Sequence, residues 1–140
     1  MTKHLLLGQT LQFHANPLHD DWQNACTVDS AGGVLIEAGR ITAAGSGADL
    51  RTAHPDATVT DYGQNLITAG FVDAHMHYPQ TAMIASWGKQ LIDWLNTYTF
   101  PEEMRFADPA YAAEVASRYF DLALAHGTTS MCSYATIHPA

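Results

Sequence analysis

Hydrophobic and polar positions alternate over short stretches in the first half of the chain and gather into longer runs in the second. Residues 5–13 read as a strand with polar interruptions, broken by Asn16-Pro17 and followed by a polar, loop-like stretch over 19–24. Residues 33–37 and 40–44 are apolar-rich and flank Ala38-Gly39, the pattern of a hairpin. Residues 48–54 suit a short helical turn before Pro55. Residues 58–62 alternate as another strand, and Gly63-Gln64-Asn65 reads as a turn. Short strands punctuated by turn residues predict a small β-rich domain over 1–67, of sandwich or open-barrel type.

From residue 66 the rhythm changes. A nearly continuous apolar run containing Phe71 and Val72 suits a strand covered on both faces. Residues 78–107 predict a long irregular segment with short helices. Its Ile84, Trp87, Leu91, Ile92, Trp94 and Leu95 are too apolar to be left in water. A helix follows: Asp108 can cap it, Pro109 fits the first helical position and Gly127 can end it. Ala112, Val115, Ala116, Tyr119, Leu122 and Ala123 repeat at three-and-four spacing, giving one apolar stripe. Residues 128–137 read as a second buried strand. Strand, crossover helix and strand make a parallel βαβ unit over 68–140, so the fold class is α/β. Two parallel strands and one helix do not complete a sheet. The expectation is therefore an N-terminal piece of a longer protein.

Charge narrows the partners. The formal net charge of −8 comes from 14 acids against 6 bases, and the bases are scattered, which argues against nucleic-acid binding. Residues 1–14 hold only the short Leu5-Leu6-Leu7 run, too brief for a signal-peptide core or a membrane span. Cys26 and Cys132 make no disulfide framework and read as reduced thiols in a cytoplasmic protein.

The most specific chemistry lies at the end of the first long apolar run, in Asp73-Ala74-His75-Met76-His77. On a strand, residues i and i+2 share a face, so His75 and His77 project together. Two neutral imidazoles so placed can fill two positions of a metal's coordination sphere. The carboxyl end of a parallel strand is where such folds carry their sites. Asp73, two residues before His75, can hold a ligand imidazole in the required tautomer or serve as a strand-end cap. Gln80, three residues past His77 and held by Tyr78-Pro79, offers a fixed amide with donor and acceptor, though it can equally be an ordinary loop residue. Trp87, Trp94, Tyr98 and Phe100 can stack on a planar ligand or simply build core. His4, His14, His19 and His54 read as surface residues and His126 as a helix-end residue. His138 follows the second strand and can face the same mouth.

Residues 70–77, Gly-Phe-Val-Asp-Ala-His-Met-His, resemble the first-strand metal motif of the amidohydrolase superfamily. Residues 75–81, residues 91–101 (Leu-Ile-Asp-Trp-Leu-Asn-Thr-Tyr-Thr-Phe-Pro), Gly127-Thr128-Thr129 and residues 135–139 are similar to its guanine deaminase family. Ala69 departs from that pattern, where proline is usual.

The resemblance implies the start of a (β/α)8 barrel, preceded by a small β-rich domain, in a homodimeric enzyme with one zinc ion. It implies hydrolysis of guanine to xanthine and ammonia. His75 and His77 would be zinc ligands, and His77, Tyr78, Pro79 and Gln80 would border the purine. The remaining ligands and the proton-shuttling acid of the family come from later strands, so no catalytic acid is expected within these 140 residues. A sibling enzyme acting on another amino-heterocycle, or a non-catalytic binding domain, are the alternative expectations.

Overall fold

The structure is a computed structural model describing residues 2–88 and 90–139. The chain divides into two compact units, Met1–Ala69 and Gly70–Ala140.

The first unit is built on one four-stranded sheet in the order β3-β2-β1-β4. Its strands are β1 (Lys3–Phe13), β2 (Cys26–Glu37), β3 (Arg40–Ser46) and β4 (Thr58–Ile67). They form a single sheet rather than the two facing layers of a sandwich. β1 runs antiparallel to β2 and parallel to β4. The β2–β3 hairpin turns at Ala38-Gly39, both with positive φ (49° and 76°), as a tight two-residue hairpin loop requires. Leu5, Val34 and Leu35 are buried on this sheet, and Thr10 lies buried among them.

Three local readings are corrected. The stretch 19–24 is not all loop, because Asp21 caps a single helical turn, α1 (Trp22–Ala25), by accepting from Gln23 N. β2 begins at Cys26, well before Gly33, because residues 26–29 pair with β1 despite their polarity. Residues 63–65 do not end a strand. They bulge within β4, where Asp61 accepts from Gly63 N at 2.8 Å and Gly63 takes φ 59°. The helical turn expected over 48–54 is α2 (Gly47–Ala53), capped by Ser46.

The second unit holds two parallel strands, β5 (Phe71–His77) and β6 (Thr128–Tyr134), joined through α5 (Pro109–Ala125). Asp108 accepts from Ala110 N at 2.9 Å to cap α5, and Gly127 at φ 82° follows its last turn. Ala112, Val115, Tyr119 and Ala123 are the buried stripe of α5, whereas Leu122 of the expected stripe is exposed. The segment between β5 and α5 is largely helical. It comprises a 3₁₀ turn (Tyr78–Met83), α3 (Leu91–Trp94), a π turn (Leu95–Thr99), α4 (Phe100–Met104) and a second 3₁₀ turn (Arg105–Ala107). Phe106, Ala112 and Val115 form the core of this unit, with Tyr78 and Tyr111 packed against it.

Neither strand is buried on both faces. Phe71 is 61% exposed and Val72 75%, because one helix covers one side of a two-stranded sheet. Gly70 permits a close approach to β6: a Cβ at this position would overlap the Thr129 side chain. The Thr128–Tyr134 strand is also shorter than the expected run to residue 137. Among the described residues no helix is long and apolar enough to cross a membrane.

Candidate metal centre

β5 carries the histidine pair at its carboxyl end. The two Nε2 atoms stand 3.1 Å apart and the ring centroids 5.0 Å apart. Two nitrogens bound at ~2.0–2.1 Å to one tetrahedral Zn²⁺ are separated by roughly 3.3 Å. The pair therefore converges as two ligands of one ion would, and neutral imidazole is a suitable donor. Among the described residues no group of three or more His, Cys, Asp or Glu side chains is arranged to hold a metal. The pair alone could offer at most two positions of a coordination sphere.

Asp73 bonds backbone, in keeping with the capping role that was one of its two expected roles. Its Oδ1 accepts from the backbone N–H of His75 at 3.0 Å. The cause lies in the sheet. From Asp73 to Met76, β5 takes three steps while β6 takes two, from Met131 to Ser133. That irregularity interrupts the alternation that would put Asp73 beside the His75 ring. Alternation holds again from Met76 onward: Met76 Sδ accepts from the Tyr119 hydroxyl of α5 at 3.3 Å, and His77 pairs with Tyr134.

Tyr134 is the residue that sequence reasoning missed. Its ring centroid lies 4.9 Å from that of His77, nearly parallel at 16°, and 4.9 Å from that of His75. The one available signal was its place at the end of the second strand.

A cavity of about 590 Å³ lies beside His77; His75 is not part of its wall. His77, Gln80, Met83, Trp94, Tyr119 and His126 are among its lining residues. The 3₁₀ turn after β5 places Gln80 there, with Thr81 donating to the Tyr78 carbonyl at 2.6 Å. Tyr78 and Pro79 turn the other way. Tyr78 meets Phe106 edge-on at 5.3 Å, and Pro79 is fully buried.

Of the four aromatic candidates, Trp94 alone is named among this cavity's walls. Its indole N–H donates to the Ser86 carbonyl at 3.2 Å. Trp87, Trp94 and Tyr98 border a separate groove, and Phe100 is 52% exposed. His126 donates from Nδ1 to the Leu122 carbonyl at 2.8 Å, as a helix-end residue, while its ring also reaches the cavity. His14 bonds Thr27 Oγ1 at 2.8 Å. His138 keeps a buried Nε2 with no hydrogen-bond partner and does not join the pair.

A parallel βαβ unit with paired histidines at a strand's carboxyl end defines a class of metal-dependent hydrolase folds. Residues 66–140 match the amidohydrolase family, more than half of the sequence, and this chain belongs to that family. Membership implies a metal cofactor. Residues 32–57 match the imidazolonepropionase-like composite domain of bacteria.

Among curated relatives, guanine deaminase of Escherichia coli (strain K12) is 40% identical over 107 residues, covering 76% of this chain and 24% of the relative. Probable guanine deaminase of Deinococcus radiodurans is 42% identical over 83 residues, covering 59% of this chain and 19% of the relative. The chain thus spans about a quarter or less of the length of these relatives. Guanine deaminase from Bradyrhizobium japonicum has a similar structure, with a TM-score of 0.92 and 31% identity over 99% of this chain and 30% of that one. Guanine deaminase from C. acetobutylicum, with guanine bound in its active site, gives a TM-score of 0.78 at 27% identity, covering 98% of this chain and 31% of that one.

Proposed function

We propose that this chain is the N-terminal portion of a zinc-dependent guanine deaminase, which hydrolyses the amino group of guanine to give xanthine and ammonia. The observation that carries the reading is the convergence of His75 and His77 Nε2 at 3.1 Å, with His77 lining a cavity that Gln80 also lines. The similarity to guanine deaminases in sequence and structure supports it. In this reading β5, α5 and β6 are the opening βαβ unit of a (β/α)8 barrel. Residues 1–67 form the small β-rich domain before it.

His75 and His77 would hold the zinc through their imidazole nitrogens, and Asp73 braces the backbone leading into His75 by accepting from its N–H. When bound, the metal supplies Lewis-acid activation of water near neutral pH. His77 and Gln80 face the purine, the amide matching one donor and one acceptor on the heterocycle edge. Tyr78 and Pro79 border the site from beneath, and their burial fixes the turn that carries Gln80. Proton transfer is assigned to a carboxylic acid outside these 140 residues. The whole protein acts as a cytoplasmic homodimer in this reading. The free thiols Cys26 and Cys132 suit a reducing compartment, and the dimer rests on the resemblance alone.

A substrate panel on the whole protein, followed as ammonia release, tests the reading. Guanine is expected to be the preferred substrate. Turnover of another amino-heterocycle with guanine inert would overturn it in favour of a sibling enzyme.

A further inference from the structure

His75 and His77 are both exposed, and among the described residues no carboxylate or carbonyl holds either imidazole; each ring bonds the other. A metal site needs its rings held in one orientation, and a hydrogen-bonded partner usually does this. Here the contact common to both rings is Tyr134. Parallel pairing sets Tyr134 directly beside His77, so the two side chains leave the sheet on the same face. The phenol ring lies nearly parallel to His77 at a centroid distance of 4.9 Å and tilted 49° to His75 at the same distance. Offset and tilted ring pairs at such separations are attractive, and their geometry restricts rotation about the side-chain torsions.

Three rings thus form one cluster, with two facing Nε2 atoms and an aromatic wall against both imidazoles. Tyr134 itself is 52% exposed, so the fold of β6 does not depend on its burial.

We propose that Tyr134 is a positioning residue for the histidine pair. Its ring, rather than its hydroxyl, holds the imidazoles of His75 and His77 with their Nε2 atoms converged, and so tightens metal binding. This rests on the proposed zinc site. Tyr134 acts through the histidines and takes no part in proton transfer. The ring is what matters because Tyr134 meets both imidazoles ring to ring, and its hydroxyl bonds neither of them.

The test uses the whole protein, stripped of metal and titrated with Zn²⁺ alone, and with Co²⁺ for its visible ligand-field spectrum. Tyr134→Ala is expected to weaken Zn²⁺ binding about 10-fold or more, the range seen when residues behind metal ligands are removed. Its Co²⁺ bands should shift or broaden. Tyr134→Phe is expected to restore affinity to within about 3-fold, with the parent spectrum. Unchanged affinity and spectrum in Tyr134→Ala, or equal loss in Tyr134→Phe, would overturn the assignment. His77→Ala serves as the reference. If it binds Zn²⁺ as tightly as the parent protein, the zinc-site reading itself fails. If it loses Zn²⁺ while Tyr134→Ala does not, the role of Tyr134 alone fails.

Discussion

His75 and His77 present their Nε2 atoms to each other across 3.1 Å at the carboxyl end of β5. In water alone, two exposed neutral imidazoles gain little from that approach. Their convergence is useful when one cation sits between two lone pairs. Replacing one ring should therefore break the pair as a chelate.

Under the proposed function, Gln80 offers a way to separate binding of the purine from binding of the metal. Gln80→Leu keeps the side chain's approximate size and removes its donor and acceptor. Unpairing a buried polar partner costs about 1–3 kcal/mol, or roughly 5- to 150-fold in kcat/KM for guanine. Zinc content should stay at the parent level. Parallel steady-state kinetics and elemental analysis check this. Loss of zinc in Gln80→Leu would show that the residue supports the site rather than the substrate.

Gly70 is set by the neighbouring strand. A methyl group there would meet the Thr129 side chain, so β5 and β6 would have to separate at their start. Gly70→Ala is expected to destabilise the protein by about 1–3 kcal/mol, the usual cost of overpacking. Gly70→Ala combined with Thr129→Ala should recover most of the loss. Thermal unfolding of the three variants measures it, and additive losses would contradict the contact.

Phe106 is the largest fully buried side chain among the described residues, and it touches Tyr78 and Tyr111 edge-on at 5.3 Å each. Phe106→Ala should cost about 3–5 kcal/mol through lost transfer energy and a cavity. Because Tyr78 leads directly into Gln80, the same variant should raise KM for guanine. A stability loss below about 1 kcal/mol by denaturant unfolding would contradict this packing.

Tyr111 gives a pH signature. Partial burial raises its pKa above the usual tyrosine value, and donation to Glu102 raises it further; Arg105 binds Glu102 at 2.9 Å and lies over the Tyr111 ring at 3.9 Å. A raised folded-state pKa favours the neutral phenol. This contribution is fully present below the unfolded value near pH 10 and is lost as pH rises through the folded value. Stability should therefore fall above about pH 10 more steeply in the parent than in Tyr111→Phe. Identical alkaline profiles in thermal unfolding would contradict the contact.

What the sequence disclosed was local. Asp108-Pro109 and Gly127 bracket α5 because capping is decided within a few residues. Ala38-Gly39 makes its hairpin for the same reason. The histidine pair was legible because the two residues are only two positions apart at the end of one strand, and their rings do converge. What stayed hidden depends on pairing between distant segments. The start of β2 at Cys26 is polar and exists through β1. The sequence left two roles open for Asp73, and its bond to the His75 N–H falls at an irregularity that arises only against β6. Tyr134 meets His77 through strand register, which no local pattern encodes. Likewise, the inward turn of Tyr78 and Pro79 follows from the Phe106 core, which forms farther along the chain.

The most direct measurement is the zinc content of the whole protein and of its His75→Ala variant, taken alongside guanine turnover on the same samples. The account predicts about one zinc per active site in the parent, and loss of both zinc and turnover in the variant. Retention of stoichiometric zinc and parent-level turnover in His75→Ala would contradict it.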